Sequence, residues 1–431
     1  MKKGQTEQSD VLIKVKPWQV WYTIFVLFVL YMMDYALRSV IGPMTPALKA
    51  DLGLSDTEVG WLMSVVLIGV AVFALPLSYL IDRWRRSKMI SLMSVIWSVA
   101  SLFSGFCSNF GQLLATRTVV GVGEASFVSG GMALIAGMIK KTRRALVTGI
   151  WVVAIPFGSA IGFLIGGFVT KSFGWQAAFM AVAAPGIIFG ILAWFMPDYK
   201  IDKSALNKAG DAPRSNALGT TLKEFVKIKT LPILYLTIAL EMCYVLGYVP
   251  WVPVLLNRSM GMDTVLASSV SAGLALTAII AMPLGGWVTD KVSQHNPRNK
   301  VLVIVVTMLL ASLFMAAGTY FVSLPVFAIG VFFTTAFVAA QLNAVQEIVP
   351  AYQRSTAMGL YMLTGYILGG MWGPILMGAV SDAVNIQASF LVISGIGFLS
   401  SFGYLWSSKY FNADYYRARE VDRAMGLLEA K

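Results

Sequence analysis

Leu77-Ser-Tyr-Leu-Ile-Asp82-Arg83-Trp-Arg85-Arg86-Ser-Lys88 separates two long apolar runs with one acid and a cluster of bases. The same device stands once more in the second half of the chain, as Gly285-Gly286-Trp-Val-Thr-Asp290-Lys291, followed by Arg298 and Lys300. On either side of each loop the sequence stays apolar for roughly 20 residues, the helix length that crosses a hydrocarbon core about 30 Å thick. Two matching acid-and-base loops in so apolar a setting predict a membrane protein built from two repeats.

Working outward from these loops gives twelve apolar spans. The first six cover residues 18–41, 59–81, 89–107, 110–138, 146–169 and 175–196; the second six cover 231–256, 265–288, 301–321, 324–349, 356–380 and 388–407. Every one is expected to be helical, because unpaired backbone in lipid is prohibitively costly. The predicted fold class is therefore an all-α polytopic membrane protein, twelve transmembrane helices arranged as two pseudo-symmetric six-helix bundles. The units are an N-terminal tail (1–17), a first bundle (18–197), a linker (198–230), a second bundle (231–408) and a C-terminal tail (409–431). Gly210 and Pro213 interrupt the linker, and its segment 222–228 has amphipathic spacing suited to a membrane surface. Of the 431 residues, 57% are hydrophobic and 13% charged. An ordinary soluble domain carries about a quarter charged residues, so a soluble enzyme is excluded. Cys107 and Cys243 are the two cysteines and both sit in apolar runs, which rules out a disulfide scaffold.

The net charge of +12 would suggest nucleic acid in a soluble chain. Here the distribution of bases gives a different reading. With both termini placed inside, Lys49, Lys171 and Arg258 are the only basic residues in outside loops, and Arg38 and Arg117 lie within spans. The rest of the 33 Lys and Arg fall on the inner side, as cytoplasmic loops require. The N-terminus has no short apolar run with a cleavage site, so it reads as a retained cytoplasmic tail. The expected location is a cytoplasmic membrane of bacterial type, with no nucleic-acid partner.

The acid-and-base loops resemble the signature loop of the major facilitator superfamily. Ser78 and Arg85 stand where that loop usually has glycines. A finer resemblance, to the spinster branch, is carried by Arg117-Thr-Val-Val-Gly121-Val-Gly123-Glu124-Ala125-Ser126, by Ala154-Ile-Pro156-Phe-Gly158-Ser159-Ala-Ile-Gly162, and by Asp34, Asp51-Leu-Gly-Leu-Ser-Asp56 and Gly373-Pro374. Spinster-like first spans read Asn-Tyr-x-Asp-Arg; here Tyr31, Met32 and Tyr35 replace the Asn, Tyr and Arg, and Arg38 lies one turn beyond Asp34. The anion:cation symporters, carriers of sugar acids, share the Arg-and-Glu fourth span and are the nearest competing branch. The resemblance implies secondary transport by alternating access. The implied solute is an amphiphile such as a lysophospholipid or sphingoid lipid, or else a small organic anion.

Ionisable side chains inside a span cost a few kcal/mol on insertion scales, so they face the bundle interior and usually mark a pathway. Asp34, Arg38, Arg117, Glu124 and Glu241 qualify. Asp34 and Arg38 lie one turn apart, and Arg117 and Glu124 two turns apart on one face. Static ion pairs between helices are the alternative reading. His295 is the sole histidine and falls in a polar loop, so a coupling proton would ride on a carboxylate, Asp34 or Glu124. Burial favours the protonated form of such a group and an adjacent arginine favours the ionised form, so moving the arginine would load or release a proton. No cluster of hard oxygen ligands suggests a sodium site, and none of His, Cys and carboxylates suggests another metal.

Substrate contacts are expected from Arg117, Arg38, Tyr31, Glu241, Tyr244, Tyr248, Gln341 and Asn343, and gating from Asp82, Arg83, Arg86, Asp290 and Lys291. The aromatic stripe of Tyr244 and Tyr248 equally suits packing, and Gln341 and Asn343 equally suit bonds between helices. The Gly158, Gly162 and Gly166 run of span five permits close helix approach, with a bearing on how helices slide. With no nucleotide-binding loop and no catalytic cluster, an enzyme and an ATP-driven pump are not expected. The expected energy source is a proton gradient, with no cofactor. The expected partners are a small-molecule or lipid substrate, protons and membrane lipids, around a monomer.

Overall fold

The computed structural model describes residues 15–198 and 218–425, so most of the N-terminal tail and of the linker lies outside the described residues. All regular structure within them is helical. Eleven stretches are long and apolar enough to cross a membrane, and one of them, Thr142–Ala193, contains two spans. Gly174, at φ 85° and ψ 164°, breaks that stretch where the chain turns back. Only glycine adopts that conformation without strain, and the twelve-span reading follows from it. The spans form two six-helix bundles in a multi-pass membrane protein, and with an even number of crossings the start of span one and the end of the last helix fall at the same end, the terminal end.

Local chemistry sets the ends of the helices. Ser55 caps the second span by accepting from the Glu58 N–H, and the Glu58 carboxylate accepts in return from the Ser55 N–H at 2.8 Å. At the terminal end the caps come from distant acids within the same bundle. Asp198 accepts from the Ser87 N–H at 3.1 Å at the start of span three. Asp414 accepts from the Thr230 N–H at 2.9 Å and from its hydroxyl at 2.7 Å at the start of span seven. Asp422 accepts from the Ala351 N–H at 2.8 Å and pairs with Arg354 at 3.3 Å. These last two acids sit on one helix, Ile386–Ala424, whose 39 residues exceed what the bilayer needs and run on past its surface. The amphipathic linker segment is a helix, Leu218–Lys227, and it does more than lie on a surface: Phe225 is buried against the core.

The glycine run of span five is an internal feature of the first bundle. A Cβ on Gly158 would stand 2.2 Å from the Met32 carbonyl oxygen, one on Gly162 2.4 Å from that of Ala36, and one on Gly166 2.7 Å from that of Val40. Backbone therefore rests on backbone along span one, on both sides of Asp34 and Arg38. The run fixes the register of two neighbours in one bundle rather than lining the interface between bundles.

The bundles meet at the end opposite the termini. Gly60 of span two lies so close to span eleven that an added Cβ would be 2.5 Å from the Pro374 carbonyl oxygen. Asp56, at the first turn of span two, takes both guanidinium nitrogens of Arg258 from span seven, at 2.6 and 2.9 Å. It also takes the Ser381 hydroxyl of span eleven at 2.6 Å and Lys49 at 2.6 Å. Asp382 accepts in turn from the N–H groups of Asp56 and Thr57, at 2.9 and 2.8 Å. The Asp56 side chain is 3% exposed, so losing a partner leaves a carboxylate short of compensation. Arg258→Ala is expected to lower the thermal midpoint of the detergent-solubilised protein by several degrees, about 1–3 kcal/mol. Arg258→Lys, which keeps the charge but not the planar fork, should recover only part of that loss. Unaltered melting of Arg258→Ala would show that the fork adds nothing to the closed end.

Candidate functional site

Four of the five charges expected inside the spans converge in the first bundle. Asp34 and Arg38 follow one another by a turn on span one, and Arg38 Nε donates to Asp34 Oδ1 at 3.1 Å. The other arm of the same guanidinium, Nη2, stands 2.8 Å from Oε2 of Glu124 on span four, as an ion pair off the hydrogen-bond axis. The side chains of Asp34 and Glu124 are 3% and 1% exposed, that of Arg38 21%. Arg38 is thus the member of the cluster that open space can reach. Its guanidinium also lies over the Tyr35 ring, 5.3 Å from the centroid.

Glu124 owes its position to a break in span four. The helix Phe110–Glu124 stops, Ser126 takes φ −131° and ψ 12°, and a new helix runs from Phe127 to Met138. The Ser126 hydroxyl donates to the Ala74 carbonyl of span two at 3.0 Å, which ties the break to its neighbour. Arg117 shares this helix but does not pair with Glu124. Its Nη2 donates to the Leu37 carbonyl at 3.1 Å, it lies 5.9 Å from the Phe179 ring, and its Nε and Nη1 have no hydrogen-bond partner. At 1% exposure it sits behind span one, where a solute in open space does not reach it. In this state Arg38, rather than Arg117, is the arginine of the cluster that keeps exposed surface.

Tyr31 stacks on Trp151 at 4.7 Å and meets Tyr35 edge-on at 5.4 Å, and the Trp151 N–H is satisfied by the Leu27 carbonyl at 3.0 Å. This aromatic wall adjoins the Arg38 cluster. In the second bundle, Glu241 of span seven accepts from Gln341 of span ten and from the hydroxyl of Tyr404 of span twelve, and Gln341 donates to Tyr404 at 2.9 Å. All three are buried, so they form a closed polar cluster within that bundle.

Tyr244 and Tyr248 turn into the second bundle. The Tyr244 hydroxyl meets Thr334 at 3.3 Å and Met315 sulfur at 3.5 Å, and the two rings lie 5.4 Å apart. The aromatic stripe is packing rather than a cavity lining, because its face of span seven points at spans nine and ten. Asn343 is exposed and does not join Gln341.

Of the gating residues, the side chains of Asp82 and Arg83 lie outside the described residues. Arg86 is buried at the start of span three. Asp290 and Lys291 are exposed, with Lys291 over the Trp287 ring at 5.1 Å.

Two sets of residues escaped the sequence reading. Tyr404 lies among Ser400, Ser401, Ser407 and Ser408, a polar stripe toward the end of the last span that could have marked it as an inward-facing donor. Asp56 stands in sequence only as part of a motif and Arg258 as an outside-loop base, and nothing local links the two.

The Major Facilitator Superfamily matches residues 27–371. Protein spinster homolog 1 of Xenopus laevis is 26% identical over 395 residues, covering 86% of this chain and 74% of its own. The hexuronate transporter of Bacillus subtilis (strain 168) is 26% identical over 396 residues, covering 88% of this chain and 92% of its own. A crystal structure of a bacterial homolog to the human lysosomal transporter Spinster, in an inward-facing and occupied conformation, superimposes with a TM-score of 0.77 at 21% identity, over 93% of this chain and 99% of that one. The fold, the two-bundle layout and these matches agree, and the chain belongs to the Major Facilitator Superfamily of secondary transporters.

Proposed function

We propose that this protein is a proton-coupled transporter that moves an organic solute with an anionic group by alternating access. The observation that carries the proposal is the Arg38 guanidinium shared by Asp34 and Glu124, two buried carboxylates, while the Arg38 side chain keeps 21% exposure. Two carboxylates on one guanidinium leave it little attraction for a third anion. A proton taken up by Glu124 removes one competitor, and Arg38 then has charge to offer a solute. Release of the solute returns Arg38 to the carboxylate and expels the proton. Arg117 supplies the second positive charge of the cluster and holds span one through the Leu37 carbonyl.

Alternating access is supported by the asymmetry of the contacts between bundles. The Asp56 and Asp382 contacts hold the bundles together at the end opposite the termini. We place the termini in the cytoplasm on the charge distribution, so the proposed state opens inward, in a cytoplasmic membrane of bacterial type. The similarity to spinster proteins and the aromatic wall of Tyr31, Tyr35 and Trp151 favour an amphiphilic solute. The hexuronate transporter relative favours a second reading, symport of a sugar acid, and it would use the same arginine.

In proteoliposomes, Glu124→Gln is expected to abolish accumulation driven by a pH gradient while counterflow exchange at equal pH persists. Accumulation with the pH dependence of the unsubstituted protein would take Glu124 out of the coupling. Arg38→Lys retains charge but loses the fork that spans two acids, and it should weaken binding of an anionic solute at least tenfold, about 1.4 kcal/mol. A neutral solute that binds Arg38→Lys normally would leave this arginine as a helix pairing residue.

A further inference from the structure

The contact that shuts the end opposite the termini is made of two unequal halves. The second bundle brings three donors to one carboxylate. Arg258 Nη1 and the Ser381 hydroxyl both meet Asp56 Oδ2 at 2.6 Å, and Arg258 Nη2 meets Oδ1 at 2.9 Å. The first bundle brings the acid itself and one further donor, Lys49 Nζ, at 2.6 Å from Oδ1. A planar guanidinium that takes both oxygens, backed by a hydroxyl, is an arrangement that recognises a free carboxylate or phosphate. Asp56 sits in this cradle as a ligand would.

The cradle keeps its two sides together without help from the first bundle. Arg258 stands on span seven and Ser381 on span eleven, and these spans are in backbone contact: a Cβ on Gly373 would lie 2.3 Å from the Cys243 carbonyl oxygen. When the bundles part, the halves fare differently. Asp56 keeps Lys49, which belongs to the same bundle. Arg258 bonds Asp56 alone among the described residues, so its fork is released at the mouth. It is also the one arginine of the outside loops, and its side chain already keeps 30% exposure. Asp382, next to Ser381, loses the N–H groups of Asp56 and Thr57 and the Thr57 hydroxyl, which it holds at 2.9, 2.8 and 2.7 Å. Its charge then opposes a second anion nearby and keeps the cradle weak, which suits a site that passes a solute on.

We infer that Arg258 and Ser381 form an outer transit site for the carboxylate or phosphate group of the transported solute, and that Asp56 fills this site as a built-in stand-in while the outer end is shut. The inference rests on the transport reading above and adds a station apart from the Arg38 cluster. Because Asp56 and the solute compete for one fork, an anion outside favours the open outer end.

The test uses the full-length protein in oriented proteoliposomes, with labelled glucuronate as the carboxylate probe and labelled lysophosphatidate as the phosphate probe. The half-saturating concentration is read separately for probe added at the outer and at the inner face. Arg258→Gln and Asp56→Asn disrupt the same pair and loosen the same end, so a contact that merely latches the bundles shifts the outer value alike in both. A cradle shifts it in opposite directions. Arg258→Gln should raise the outer value about tenfold, and Asp56→Asn, which removes the competing charge, should lower it about threefold. Asp382→Asn should lower it as well. Arg258→Lys, which keeps the charge, covers the case in which Arg258→Gln does not fold, and its outer value should rise by less. The probe whose outer value responds assigns the anionic group. Outer values that move together in the Arg258 and Asp56 variants, or that stay unchanged in the Arg258 variants, overturn the transit site. If they do so while Arg38→Lys weakens transport from both faces, the transport reading stands and the transit site falls. If the Arg258 variants raise the outer value and Arg38→Lys changes nothing, the transit site stands without the Arg38 reading. Transport of neither probe overturns both.

Discussion

Arg38 holds Asp34 with one nitrogen and Glu124 with another, and much of the first bundle is arranged so that it can. Burying three charged groups at mid-membrane is expensive, and mutual pairing offsets only part of that cost. The geometry that permits it has three sources. Span one must present Asp34 and Arg38 one turn apart on the same face. Span four must stop at Glu124 and restart after Ser126, which swings the carboxylate to the guanidinium. Span five must be glycine where span one lies on it, or the helix carrying both charges would be pushed away. None of these features would be worth keeping for stability alone, since buried ion pairs rarely outperform well-packed apolar side chains.

The second bundle treats its buried acid differently. Glu241 is met by an amide and a phenol, neutral donors from spans ten and twelve, with no guanidinium bonded to it. The two halves share a helix count and a pair of signature loops but not a charge plan. The first holds opposed charges gathered on one guanidinium, and the second holds a closed hydrogen-bonded cluster that ties three spans together. In the proposed cycle this makes the first bundle the seat of coupling and the second a stiffer partner.

Much of this was legible in the chain itself. The twelve spans follow from runs of apolar residues, because a hydrocarbon slab imposes a length on any helix that crosses it. Asp34, Arg38 and Glu124 were legible because a charge inside such a run needs a reason. Spacing places Arg117 on the Glu124 face but cannot say that its Nη2 bonds a backbone carbonyl of span one. For Tyr244 and Tyr248 periodicity shows that they share a face and not which helix that face meets, so packing and cavity lining both stayed open. Asp56 with Arg258 and Ser381 was illegible for a further reason. Those contacts join segments from both halves of the sequence, and only the docking of the two bundles creates them.

The cap that Asp414 places on Thr230 has a consequence in time. Span seven opens the second bundle, yet the group that satisfies its first N–H is supplied from the far end of the last helix, 184 residues later. A chain emerging from the ribosome therefore inserts span seven with that end unfinished. The first bundle, whose cap on span three comes from Asp198, has all its parts before the second begins. Assembly of the second half waits until Asp414 has been made, and a message cut short after the last apolar run would yield every membrane crossing and still leave that bundle unclosed.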